Sequence, residues 1–250
     1  MVMMLFFRRK IYPPGYLLGG YRIIRLIGEG RFGMCYLVDL DDKKYVLKEI
    51  KPKAIKKSGF KIVFEEEILL GIDNPSIPKI VDTIKNNKIY AYILEYKKGK
   101  TIEEMLFGDN HVFTPSEIYK VGVKLIDIMK YLHERNIVHR DIRVPNVIID
   151  EEEVYLIDFG LARLINSKKY IPSVDFSYFG QLLLYLYYSS FKKTNKKSEP
   201  WYDELDLSLN ELNFLKRLLG LNERYKNIYA VERDFLELGV VPGLLPCTAK

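Results

Sequence analysis

A chain of 250 residues, 48% hydrophobic and 29% charged, holds enough apolar material for one large domain or two packed lobes. Its formal charge of +6 suits an anionic ligand or an acidic partner, but no nucleic-acid motif accompanies it and lysine-rich surfaces commonly serve solubility. Cys35 and Cys247 match no CxxC or zinc spacing, which favours a reducing compartment.

The opening "MVMMLFFRRK" is too short to cross a bilayer. Its charges stand on the wrong side for a secretory signal, so a frayed terminus is expected there rather than a surface anchor. From residue 21 the pattern is one of strands. "YRIIRLIGEG", "MCYLVDL" and "KYVLKEI" are short, β-branched or aromatic, and separated by glycines or by the turn "DLDDKK". Residues 59–72 change to a helical period, with Ile62, Glu65, Leu69 and Ile72 on one face and Glu66 and Glu67 directed elsewhere, towards solvent. "NPSIP" ends that run, and the strands "KIVDTIK" and "KIYAYILEY" follow. Beyond "YKKGK" longer helices take over, the first with Thr114 as N-cap, Pro115 at the first helical position and Glu117 three residues on. "LLLYLYYSSF" at 182–191 is too short and too rich in tyrosine for a membrane span. The expectation is an α+β chain with a five-stranded antiparallel lobe over 21–96 and a mostly helical lobe over 97–238. An extension (1–20) and a tail (239–250) flank them.

"GEGRFG" is followed by a strand, not a helix, so its glycines bridge a hairpin whose bare tip lets backbone N–H groups approach phosphates. Lys48 lies within an apolar strand and needs a partner there; Glu65 is the candidate. "HRDIRVPNVIID" places a carboxylate, Asp141, and an amide, Asn146, five apart in a loop. That pair can orient a hydroxyl and offer an oxygen to a hard cation. "LIDFG" adds a second oxygen ligand, Asp158.

In order and spacing these residues form the signature set of the eukaryotic-type protein kinases, which the chain resembles from about residue 21 to 238. Its trimmed build resembles the small stand-alone serine/threonine-kinase-like proteins of Gram-positive bacteria, with no receptor span attached. The resemblance implies a bilobal kinase-like fold with a shortened activation segment, and it implies roles. Gly28, Gly30 and Gly33 would cover the phosphates of ATP, with Ile27 beside them in the nucleotide site. Lys48, held by Glu65, would contact the α- and β-phosphates. Asp141 would position the acceptor hydroxyl and Arg143 would neutralise the transferring group, while Asn146 and Asp158 would hold Mg2+, or Mn2+ in its place. Leu94 resembles the gatekeeper, the backbones of Glu95 and Lys97 the hinge, and Cys35, Val46 and Ile148 the apolar sandwich around adenine.

Only Leu161 to Val174 separates "DFG" from "DFSYFG", whose Asp175 would anchor the catalytic loop. No A-P-E motif intervenes, and Lys226 stands where an arginine usually pairs with that motif. Ser167, Tyr170 and Ser173 read as exposed loop residues, and "SSFKKTNKKSEPWYDEL" as a surface loop able to receive an acidic partner. The implied function is ATP-dependent phosphorylation of a protein Ser/Thr hydroxyl in the cytoplasm, with no nucleic-acid partner. Arg143 leaves serine/threonine against tyrosine preference open. A small-molecule kinase and a nucleotide-binding pseudokinase are the alternatives; "HRD" speaks against the first, and the complete catalytic set against the second.

Overall fold

The structure, a computed structural model, describes residues 11–30, 33–51, 60–86, 89–166, 169–192 and 199–239. The N-terminal run 1–10, the glycine-loop tip 31–32, Ser167, the lysine-rich segment 193–198 and Cys247 lie outside the described residues. The chain forms two compact units, one of 1–70 and 78–96, the other of 71–77 and 97–250.

The first unit is an antiparallel sheet in the order β1-β2-β3-β4-β6-β5. Its strands are β1 (Leu17–Leu18), β2 (Tyr21–Glu29), β3 (Gly33–Leu40), β4 (Lys43–Ile50), β5 (Ile80–Lys85) and β6 (Tyr90–Glu95). That is six strands where the sequence pattern predicts five. The extra strand has two residues, too few to show a period of two. It turns into β2 through Gly19 and Gly20, both at positive φ (60° and 89°), where a side chain would be strained. Leu18 is thereby buried in the core. Between β3 and β4, Asp41 and Asp42 also take positive φ (50° and 60°), as a two-residue hairpin turn with the twist of its strands requires. The Tyr21 hydroxyl donates to Asp82 at 3.1 Å, tying β2 to the edge strand β5, so the sheet curls.

Alternation gives this sheet two distinct faces. Met34, Tyr36, Val38, Leu47, Ala91 and Ile93 form a closed apolar core on one. Their sequence neighbours Cys35, Leu37, Val46, Lys48, Tyr92 and Leu94 share the other, since register pairs Cys35 with Lys48, Lys48 with Tyr92, and Val46 with Leu94. Helix α1 (Phe60–Leu70) buries Glu65, Ile68 and Leu69.

The second unit is built around α2 (Pro115–Glu134). A capping box starts it: the Glu117 amide donates to the Thr114 hydroxyl oxygen, and the Glu117 carboxylate accepts from the Thr114 amide. Ile118, Val121, Leu125, Met129 and Leu132 make its buried stripe. Three further helices, α3 (Ser173–Tyr188), α5 (Leu209–Leu219) and α6 (Ile228–Leu238), complete the core, with the short α4 (Trp201–Glu204) between α3 and α5. Phe235 of α6 lies against Gly122, where a Cβ would collide with its ring, and stacks on Tyr119 at 5.4 Å. Two small sheets frame the loops: β7 (Lys100–Thr101), β9 (Val147–Asp150) and β10 (Glu153–Leu156) form one, and β8 (Ile137–Val138) with β11 (Arg163–Leu164) the other. Among the described residues, no helix is long and apolar enough to cross a membrane.

Candidate active site

In the first unit, Lys48 projects from β4 and its Nζ lies 2.6 Å from Glu65 Oε1, both side chains under 10% exposed. Burying either charge alone would cost several kcal/mol, on the order of the desolvation penalty per ion, so the pair is the condition for both being there. On the same row, register sets Gly28 opposite Cys35. Ile27 falls at the β2 irregularity between Leu26 and Gly28 and is 40% exposed. A Cβ built on Gly28 or Gly30 would meet nothing within 4 Å, and neither residue has positive φ. Among the described residues neither conformation nor packing demands glycine at 28 and 30, so the bare backbone there leaves room for a ligand. Gly33 differs, because a Cβ there would come 2.5 Å from the Glu49 carbonyl oxygen. Lys51 Nζ donates to Glu29 Oε1 (2.7 Å) and to the Gly30 carbonyl (2.9 Å), holding the hairpin's first arm. Nothing in the strand pattern singles Lys51 out. Val46 and Leu94 face each other across β4 and β6, and the Glu95 amide donates to the Lys79 carbonyl at 2.9 Å.

Helix α1 departs from expectation at one position. Glu66 does not face solvent: its carboxylate accepts a short hydrogen bond from the Tyr90 hydroxyl. The helical period orders positions around α1 but says nothing of which strand residue waits beside them.

In the second unit, Asp141 is 7% exposed. Arg143 grips its carboxylate as a fork, Nε to Oδ1 at 2.6 Å and Nη2 to Oδ2 at 3.2 Å. Asn146 Nδ2 donates to Asp141 Oδ2 (2.8 Å) and to the Asp141 carbonyl (2.9 Å). With its amide nitrogen so committed, Asn146 turns its oxygen to other use. Asp158 sits at φ 62°, a left-handed conformation that a non-glycine residue adopts at a cost of roughly 1 kcal/mol or more. Its carboxylate accepts from the Gly160 amide at 3.3 Å. Arg140 is held at φ 67° as well, so two strained residues flank the loop. Asp175 of α3, fully buried, receives the amides of His139 (2.9 Å) and Arg140 (2.6 Å) together with His133 Nε2 (2.9 Å). Sequence reading missed His133, whose only signal is its place in the last turn of α2. Ile148 lies half-buried on β9 opposite Thr101. The Lys97 ammonium donates to the Pro75 carbonyl at 3.0 Å and stands over the Tyr155 ring at 5.3 Å.

Among the described residues, no three acidic, histidine or cysteine side chains gather as a metal cage. A carboxylate and an amide oxygen are hard donors that suit Mg2+, which keeps its waters and takes further oxygens from phosphates. Asn146 and Asp158 fit that chemistry.

The family model of the protein kinase domain matches residues 21–181. A probable serine/threonine-protein kinase of Bacillus subtilis, YbdM, is 36% identical over 223 residues, which cover 86% of this chain and 87% of the relative. The chain belongs to the protein kinase family. A carbon catabolite-derepressing protein kinase of Saccharomyces cerevisiae is 29% identical over 161 residues, 62% of this chain, and serine/threonine-protein kinase PrkC of Bacillus subtilis is 29% identical over 154 residues, 60% of it. The aligned region spans 25% and 24% of those two relatives.

The activation segment of this kinase is short and tied down. β11 pairs with β8, the Ile165 amide donates to the Asn136 carbonyl at 2.7 Å, and α3 begins at Ser173. Tyr170 is half-buried rather than exposed, with the Arg140 guanidinium 4.7 Å from its ring centroid. Lys226 is exposed, while a neighbouring cluster joins Arg217 to Asp234, which also accepts from Tyr225 at 3.0 Å.

Proposed function

We propose that this kinase transfers the γ-phosphate of ATP to a serine or threonine hydroxyl of a protein, with Mg2+ held by Asn146 and Asp158. The observation that carries the reading is the hydrogen-bond frame of Asp141. A carboxylate offers about four lone-pair positions, and Arg143 and Asn146 occupy three of them. The remaining one, on Oδ1, is where an acceptor hydroxyl can be aligned. Arg143 leans on the same carboxylate with an exposed, planar cation able to neutralise charge on a transferring phosphoryl group. Lys48, kept in place by Glu65, is the cation for the α- and β-phosphates. Held by Asn146 and Asp158, Mg2+ would supply charge neutralisation for the phosphates. Catalysis by the chain itself is then a matter of positioning and preorganised charge.

Similarity to serine/threonine-protein kinases favours serine and threonine over tyrosine. Two cysteines at unrelated positions agree with a reducing, cytoplasmic setting.

The test is the intact mass of the protein and of a serine-rich acceptor protein before and after incubation with Mg-ATP, beside an Asp141→Asn control. Phosphate increments on serine or threonine in the wild type alone are expected. ATP turnover that marks only a small alcohol, or nucleotide binding with no transfer at all, would overturn the reading in favour of a small-molecule kinase or a pseudokinase.

A further inference from the structure

We propose that Tyr90 and Glu66 are positioning residues: their hydrogen bond is a second tether of α1 to the sheet, and it sets the roll of the helix that keeps Glu65 on Lys48. The inference rests on the kinase reading only for its consequence on turnover.

Helix α1 lies against β5 and buries Ile68 and Leu69. Apolar contacts are non-directional and tolerate a small roll or slide. The Lys48–Glu65 pair is directional but a single point, about which a rigid helix can still pivot. Glu66 supplies the second point. Successive residues on a helix diverge by about 100°, so Glu65 and Glu66 reach the sheet in different directions. Glu65 goes to β4. Glu66 goes to the first residue of β6.

Register fixes the spacing of these anchors. Lys48 pairs with Tyr92, and Tyr90 lies two residues along β6 on the same face, about 6.6 Å away along the strand. Two bonds from adjacent helix positions to anchors that far apart remove both the roll and the slide. The phenol itself is well held. Its ring packs with Ile50 and Tyr92, and the Lys85 ammonium stands 5.5 Å from its centroid. Among the described residues Glu66 has no lysine or arginine partner, so the Tyr90 hydroxyl is what this half-buried carboxylate receives. A hydrogen bond to an ionised acceptor is among the stronger kinds.

The test reads Lys48 directly. The rate at which an amine-reactive reagent labels Lys48 in the nucleotide-free protein is followed by peptide mass spectrometry, with exposed Lys43 as the internal control. Tyr90→Phe keeps the ring and removes the donor; Glu66→Ala removes the acceptor; Glu66→Gln retains an acceptor oxygen. Lys48 labelling should rise about tenfold in Tyr90→Phe and in Glu66→Ala, as loss of one hydrogen bond to a charged group implies. The double variant should be no worse than either single one, and Glu66→Gln, with a neutral acceptor, should fall between wild type and Glu66→Ala. Phosphotransfer should fall by a matching factor. Unchanged Lys48 labelling in both single variants overturns the proposal, as do effects that simply add in the double variant. A rise at Lys43 equal to that at Lys48 would mean general loosening and would also overturn it. Because labelling needs no catalysis, a wild type without phosphotransfer would sink the kinase reading while leaving this inference to stand or fall separately.

Discussion

Arg143 and His139 show how much one side chain in the catalytic loop can decide. Arg143 holds Asp141 through two nitrogens of one planar group, a geometry lysine cannot reproduce. Arg143→Lys should therefore lower kcat about tenfold with little change in KM for ATP, measured by steady-state kinetics on a peptide acceptor. An unchanged kcat would remove Arg143 from the positioning of Asp141. His139 acts on stability instead. It is fully buried, with the Asp141 amide donating to its Nδ1 at 3.3 Å and Phe159 edge-on at 4.6 Å. Burial pushes its pKa below the ordinary 6.5, outweighing the upward pull of Asp175, Asp158 and Asp141. The folded state keeps the ring neutral while the unfolded chain takes up a proton as pH drops below that value. More protons on the unfolded chain means stability is lost as pH falls through 6.5 towards the lower folded pKa. This one group contributes up to about 1.4 kcal/mol per pH unit over that window. Thermal melts from about pH 7.5 to 5.5 should show a steeper decline in the wild type than in His139→Asn, and equal slopes would refute the assignment.

Elements position these residues, and α3 does so most. Asp175 stands in its first turn yet accepts both loop amides at His139 and Arg140, so the helix holds a loop 35 residues earlier in the chain. Asp175→Asn has one acceptor oxygen in place of two for three donors. We expect turnover to fall at least about tenfold and the melting temperature to drop, since unsatisfied buried donors cost roughly 1–3 kcal/mol each. A variant with normal rate and melting point would show that the loop holds itself. The contrast with α2 is instructive. Its start could be read from Thr114, Pro115 and Glu117, because a capping box joins residues three apart and needs no partner from elsewhere. The role of Glu66 could not, because its partner is 24 residues away on a strand. β1 escaped notice for a related reason: its place is owed to a glycine turn and to Leu18 finding the core, not to any pattern of its own.

At the scale of the whole molecule the residues proposed to hold nucleotide and metal belong to two units, each with its own core. Lys48, Glu65 and the glycine hairpin belong to the first; Asp141, Arg143, Asn146 and Asp158 belong to the second. ATP with Mg2+ should raise the melting temperature by several degrees over ATP with EDTA, since saturation at about 100 times Kd adds roughly 2.7 kcal/mol. Asp158→Asn should lose the Mg2+-dependent part of that shift and keep its melting point without ligand. A full Mg2+ response in that variant would displace Asp158 from the metal site.

Order and spacing along the chain were enough for the family and the Lys48–Glu65 pair, and for proposing the catalytic set. Each of those rests on local geometry: a hairpin of glycines, a charge within an apolar strand, a loop that holds an acid and an amide five residues apart. Tertiary structure alone decided which face of the sheet carries Lys48, that His133 joins the two loop amides on Asp175, that Tyr170 lies beneath Arg140, and that Tyr90 answers Glu66. Those are pairings between distant segments. Strand register and the landing of one helix set them, and no period in the sequence records either.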